Sequence, residues 1–213
     1  MSAADHAGTT YQGHADLQAA HGEPMEYGLR MHLDHLHEHH LTFIAASPFC
    51  ILTSVDREGY PTASPKGDPR GFVKALDSRT LLMPDRPGNN QLQTLHNVMD
   101  APRVGLIFLV PGVEETLRVR GTARMTTAPA HLELLTVRAT TPRTALLVHV
   151  EEAYIHCGKA VRRACLWEAD ARVPRGTIPS IARMMVDQTG PVPGKTLEDL
   201  DAFAESQYRE TLY

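Results

Sequence analysis

Three cysteines, a single tryptophan and no long apolar run mark what this 213-residue chain goes without. Cys50, Cys157 and Cys165 form no CxxC pair, and an odd count in a chain without an export signal fits reduced thiols better than a disulfide framework. Cys50 stands in the apolar run Phe49-Cys50-Ile51-Leu52, where it reads as a buried, inert thiol. No stretch approaches the roughly 20 apolar residues that a membrane-spanning helix needs. The segment MSAADHAGTTYQGHADLQ has neither a basic start nor an apolar centre, so the expectation is a cytoplasmic protein with no membrane partner. A basic cluster is lacking as well: the formal net charge is −4 and the basic residues are scattered, which argues against nucleic acid as a partner. Neither a Gly-x-Ser-x-Gly elbow nor a GxxxxGK[ST] loop is present, which removes the commonest hydrolase and nucleotidase readings.

What is there is enough for one domain with terminal appendages. Residues 1–28 lack sustained periodicity and read as an arm. Leu29, Leu33, Leu36, His40 and Phe43 or Ile44 recur at helical spacing, which predicts a first helix from about 29 to 46, stopped at Ser47-Pro48. From Phe49 the texture changes to short β-rich runs, FCILTSV, YPTASPKGD, GFVKAL and TLLM, broken by turn residues and predicting an antiparallel meander. A short helix is expected from Gln91 to about Met99. RVGLIFLV is apolar at both parities, as in a barrel stave whose outer face is covered by a helix or a partner subunit. TLRVRGTARM alternates, with Leu117, Val119, Gly121 and Ala123 on one face and Arg118, Arg120 and Arg124 on the other. A short helix after Pro129, a strand over 145–154, a helix near 158–164 and two helices within 171–213 complete the sequence, the last opened by Thr196 with Asp199 three positions on.

Two loops suit an anion. In Ser64-Pro65-Lys66-Gly67-Asp68, glycine lets backbone N–H groups approach closely while lysine and serine supply charge and a donor. Asp85-Arg86-Pro87-Gly88-Asn89-Asn90 runs into a helix, so that Asn89 or Asn90 falls near its N-cap and Arg86 can offer a bidentate fork. Taken singly, each is equally an ordinary turn with a solvated cation. Arg118 and Arg120 sit on the polar parity of a strand expected to neighbour these loops, with a solvated barrel exterior as the competing role. His156 and Lys159 follow the last core strand, and Trp167 reads as a packing anchor or as a cover for a ligand held between subunits. In MHLDHLHEHH, His32, His35 and His39 can share a helix face, but the pattern is not HExxH and no cysteine is near, so no metal site is assigned.

The run from Leu52 to Met125, with SPKGD, PDRPGNN, N-x-x-x-x-P-R-V-G-L-x-F and PG-x-x-E-T-L-R-V-x-G, followed by HC-x-K-A, resembles the FMN-binding split-barrel family related to pyridoxamine 5′-phosphate oxidase. The resemblance implies a mainly β fold with flanking helices, a six-stranded antiparallel split barrel over 29–170 with a helical extension over 171–213. It further implies a homodimer with FMN between the subunits. It puts Lys66, Arg86, Asn89 and Asn90 at the phosphate, where the loop reading adds Ser64 and Gly67, with Arg118 on a later strand, and His156, Lys159 and Trp167 where the partner closes the site. The chain departs from the pyridoxamine-phosphate oxidases in lacking their Arg-x-x-Leu-Leu-Lys strand, their Ser-Arg-Lys loop and a C-terminal Arg-x-His. The expectation is therefore an FMN-dependent oxidoreductase acting on a small molecule or a nicotinamide reductant, with that named oxidation in doubt. Its rivals are a flavin or haem carrier or sensor without turnover, and a deazaflavin-dependent reductase on the same barrel.

Overall fold

The computed structural model describes residues 11, 13–88 and 90–213, which fall into two compact units divided between His32 and Leu33. In the first, α1 (His14–His21) and α2 (Glu26–Arg30) bury no residue. The helix expected over 29–46 is not continuous. Leu33 instead exchanges two backbone hydrogen bonds with Ala153, and α3 (Glu38–Ala46) starts afresh in the second unit. His37 explains the break: its extended backbone places Nδ1 to accept from the His39 N–H, while His40 Nδ1 accepts from the His37 N–H. Of the three histidines expected on one helix face, only His39 is in α3.

Burial, reinforced by neighbouring His37, holds the His40 imidazole below its ordinary value. The unfolded chain then binds this proton at a higher pH than the folded one, so His40 makes stability rise with pH up to about 6.5, its unfolded value. Unfolding midpoints measured from acid to neutral pH should climb across that window, and His40→Gln should flatten the climb; an unchanged slope would exclude His40 as its source.

Seven strands form one antiparallel sheet: β1 (Phe49–Val55), β2 (Pro61–Gly67), β3 (Lys74–Asp77), β4 (Thr80–Asp85), β5 (Arg103–Leu109), β6 (Thr116–Thr126) and β7 (Thr144–His156), in the order β2-β1-β5-β6-β7-β4-β3. This corrects two expectations. The count is seven rather than six, β3 being a four-residue edge strand that is exposed throughout. The meander is also interrupted, because β2 and β3 stand at opposite edges. The chain between them crosses the end of α3, where Asp68 N donates to Pro48 O and Gly71 N to Ser47 O. Gly71 makes that crossing at φ +71° with Ala45 O at 3.1 Å from where a Cβ would stand, so a side chain there would be both strained and crowded.

The sheet curls on itself. Along the ladder β2 lies five strands from β4, roughly 24 Å if the sheet were flat. Yet Lys66 Nζ of β2 is 3.6 Å from Asp85 Oδ1 of β4, and Arg86 Nε, just past β4, donates to Asp68 Oδ2, just past β2, at 2.7 Å. These crossed ion pairs form a seam. Alternation dictates which side chains fill the enclosed space: Leu52 of β1, Leu106 and Phe108 of β5, Leu117 and Val119 of β6, and Val148 of β7 are all buried there. Ile44 of α3 and Val98 of α4 (Gln93–Asp100) belong to the same cluster, and Asn97 of α4 donates to Ser54 Oγ and Thr62 Oγ1. A smaller cluster of Leu82, Leu135, Ala145 and Leu147 lies on the other side of β4 and β7, with Leu132 of α5 (Pro129–Glu133) against it. Past β7 come α6 (Lys159–Arg163), α7 (Ile181–Thr189) and α8 (Leu197–Glu210), the last opened by the Thr196–Asp199 capping box. Among the described residues no helix is long and apolar enough to cross a membrane.

Cys50 is fully buried on β1, and that burial pushes its thiol up to about 12, whereas Cys157 and Cys165 are exposed. At pH 8 a thiol reagent should therefore modify two groups in the native protein and the third only on unfolding. Three equal labelling rates would contradict the burial.

Candidate cofactor site

β2 alternates about the sheet plane, so Ser64, Lys66 and, just beyond, Asp68 turn to the barrel side while Ala63, Pro65 and Gly67 face out. Register carries the same assignment across the ladder: Lys66 pairs with Cys50 and Cys50 with Phe108, both fully buried. At the seam this row meets the exit of β4. Lys66 and Asp85 keep 20 % and 25 % of their side-chain surface, but the Arg86–Asp68 pair is nearly dry, at 13 % and 1 %. Arg86 Nη2 donates to Leu135 O at 2.6 Å, leaving Nη1 buried without an acceptor. The two loops expected at a phosphate thus meet at the seam, with their cations already opposed by carboxylates.

The continuation of the second loop differs from expectation. Asn90 is exposed at φ +56°, a conformation asparagine tolerates, and Leu92 at φ +54° is the N-cap of α4, with no side-chain cap. The helix therefore opens two residues later than expected, and Asn90 is not its cap. Asn89 lies outside the described residues.

A second group occupies the outer face. Arg118 of β6 pairs with Ile107 of β5 and Tyr154 of β7, in a row continued by Ile51 and Pro65. Arg118 and Lys66 consequently point to opposite faces, three strands or roughly 14 Å apart along the sheet. The expectation that the arginine strand neighbours the loops is corrected by the order of strands: β6 sits between β5 and β7. Arg118 Nη1 reaches Tyr154 Oη only at 3.5 Å, and its Nε is buried with no acceptor. Half-buried Ile51, Ile107 and Leu109 with exposed Phe49 make the surroundings apolar. Desolvation, then the Arg118 charge, holds His156 below its ordinary value, so its ring is neutral at pH 7. Arg120, by contrast, is solvent-exposed and paired with Glu152.

Lys159 is exposed on α6, in a shallow pocket with Glu114, Glu115, Gly158 and Arg162, where Arg162 forks onto Glu114. Trp167 Nε1 donates to Val113 O at 2.7 Å, anchoring the chain after α6 to the β5–β6 loop. At the start of α3, ligand atoms of exposed His37, its N-cap, and of Glu38 and His39 lie within 4.8 Å of one another. Asp68, Asp85, Arg138, Tyr154 and Tyr213 were not singled out from the sequence, although all but Arg138 share a hydrogen bond or ion pair with a singled-out cation or with Asp68. The two aspartates were visible inside SPKGD and PDRPGNN; the other three carry no local signal.

The family model described as pyridoxamine 5′-phosphate oxidase matches residues 36–157. No curated protein matches the chain. Among solved structures, HupZ from Group A Streptococcus is 22 % identical over 56 % of this chain and 93 % of its own, with a TM-score of 0.47. A putative pyridoxamine 5′-phosphate oxidase from Lactobacillus delbrueckii is 20 % identical over 57 % and 95 %, TM-score 0.44. An FMN-binding protein from Syntrophomonas wolfei is 9 % identical over 54 % and 81 %, TM-score 0.43.

Proposed function

Since the chain belongs to the pyridoxamine 5′-phosphate oxidase family, we propose that it is an FMN-binding oxidoreductase built on a split barrel, and that it works as a homodimer. One observation carries the reading. Among the described residues, the buried side-chain polar atoms without a partner are Arg86 Nη1 and Arg118 Nε. Buried donors are almost always satisfied, so two orphans on cations mark where an acceptor belongs. Both arginines are among those picked out from sequence, Arg86 as a fork for an anion and Arg118 as a cation on the polar face of a strand.

The residues fit that cofactor. Arg86 Nη1 has no acceptor, and Lys66, held to Asp85 at 3.6 Å without a hydrogen bond, is free to turn toward a phosphate; Ser64 and Gly67 flank Lys66 along the chain and Asn90 follows Arg86, as further donors the proposal assigns to it. Arg118 supplies a cation on a largely apolar sheet face, where a flat ring can lie and where its N1–C2=O2 edge would be favoured in the reduced state. Neutral His156 leaves that charge to Arg118. When bound, the flavin supplies a two-electron hydride acceptor, to or from a small molecule or nicotinamide. Because the seam cations and Arg118 occupy opposite faces of one sheet, a second copy is the natural source of the missing walls, with Lys159 and Trp167 at the edge it would meet.

The purified protein is expected to be yellow, or to become so on reconstitution with FMN, and to bleach on adding NADPH or another hydride donor. A colourless protein that cannot be reconstituted overturns the reading. Bound flavin that no donor reduces would leave a carrier.

A further inference from the structure

Tyr213 reaches the seam from 145 residues along the chain. Its phenol donates to Asp68 Oδ1 at 2.8 Å, and its ring lies against two guanidiniums, those of Arg86 at 5.5 Å and Arg138 at 5.3 Å from the centroid. The bond to Asp68 also holds the phenol above its ordinary pKa. Arg138 is delivered there at a cost. Val137 and Thr140 exchange backbone hydrogen bonds across a two-residue turn whose central positions, Arg138 and Ala139, have φ +49° and +62°. Such a turn normally takes Asn-Gly, and neither residue here suits it. Strain kept in this way suggests that the position of Arg138 has a use.

The segment that Tyr213 belongs to is loosely held otherwise. α8 buries no residue and packs on α7, and among the described residues its hydrogen bonds run within residues 196–211. At Arg86, Nε and Nη2 are committed to Asp68 and Leu135, and the ring stands over the same guanidinium whose remaining nitrogen, Nη1, lacks an acceptor.

We propose that Tyr213 is a latch: without ligand its ring occupies the seam against Arg86 and Arg138, and an anion binding at Arg86 displaces it and frees residues 197–213. The coupling half of this rests on reading the seam as the phosphate site. A ring face and a phosphate compete for one guanidinium, and the charge-assisted, multidentate contact is the stronger.

Amide hydrogen exchange over residues 197–213 of the full chain tests the latch without ligand. Tyr213→Ala and Arg138→Ala should each raise exchange there about tenfold, with Tyr213→Phe in between because it keeps the ring and loses the Asp68 bond. Unchanged exchange in both, in variants whose unfolding midpoints match the parent, overturns the latch. FMN then probes the coupling. Saturating FMN should raise exchange in the parent, and Tyr213→Ala should bind FMN about tenfold more tightly. Equal affinity together with unaltered exchange on FMN binding overturns the displacement. Failure of FMN to bind either protein overturns the flavin reading, and the ligand-free comparison still decides the latch.

Discussion

Replacing Arg86 by alanine is expected to cost about 3–5 kcal/mol of folding stability, because it strands a carboxylate that has almost no access to water. Asp68 keeps 1 % of its side-chain surface, and its two oxygens are served by Arg86 and Tyr213. Arg86 also ties β4 to the Leu135 carbonyl, so it closes the seam in two directions at once. Urea unfolding should show the midpoint falling at constant slope. Removing both charges, in Arg86→Met with Asp68→Leu, should recover much of the loss, since an apolar pair asks for no partner. A single variant within about 1 kcal/mol of the parent would show that the pair behaves as an exposed one and does not clamp the barrel.

This makes Lys66 the cleaner reporter of the phosphate. Its pairing with Asp85 is longer and more exposed, so Lys66→Ala should change stability by no more than about 1 kcal/mol. The same substitution should weaken FMN binding by about 1–3 kcal/mol, the scale of one charge-assisted contact. Affinity equal to the parent's would place the phosphate elsewhere.

The contrast between these two cations also shows what a sequence can carry. Alternation in TLRVRGTARM separates buried Leu117, Val119, Gly121 and Ala123 from Arg118 and Arg120 correctly, because the period of a strand is a local property. The same kind of reasoning runs one helix from Leu29 to Ala46, since Leu29, Leu33 and Leu36 happen to fall at helical spacing. A histidine pair at 37 and 40 that satisfies the free N–H groups of a new helix is a competing local signal, but histidine is an unusual cap. Arg86 and Lys66 were legible as cations in Gly-rich loops. That each would face the other loop's aspartate depends on the sheet closing, which no window of sequence contains. Tyr213 is the extreme case: its partners lie 145 and 127 positions away, and nothing in the sequence around it distinguishes it from any other tyrosine.

Arg118 should behave in the opposite sense to Arg86. Its Nε is already buried without an acceptor and its contact to Tyr154 is long, so Arg118→Met removes an unsatisfied charge and should leave stability unchanged or raise it. If the ring lies on this face, the same variant loses the cation beside its electron-rich edge. FMN affinity should then fall by about 1–3 kcal/mol, and the two-electron potential of the bound flavin should move negative by about 30 mV for each tenfold of selective loss in the reduced state. Lys66→Ala should weaken binding while leaving the potential where it was, because a phosphate contact does not distinguish oxidised from reduced ring. The pair of variants therefore separates the two ends of the cofactor by different observables. A potential unmoved in Arg118→Met, with affinity retained, would mean that the outer face of β6 is not where the ring lies, whatever the seam binds.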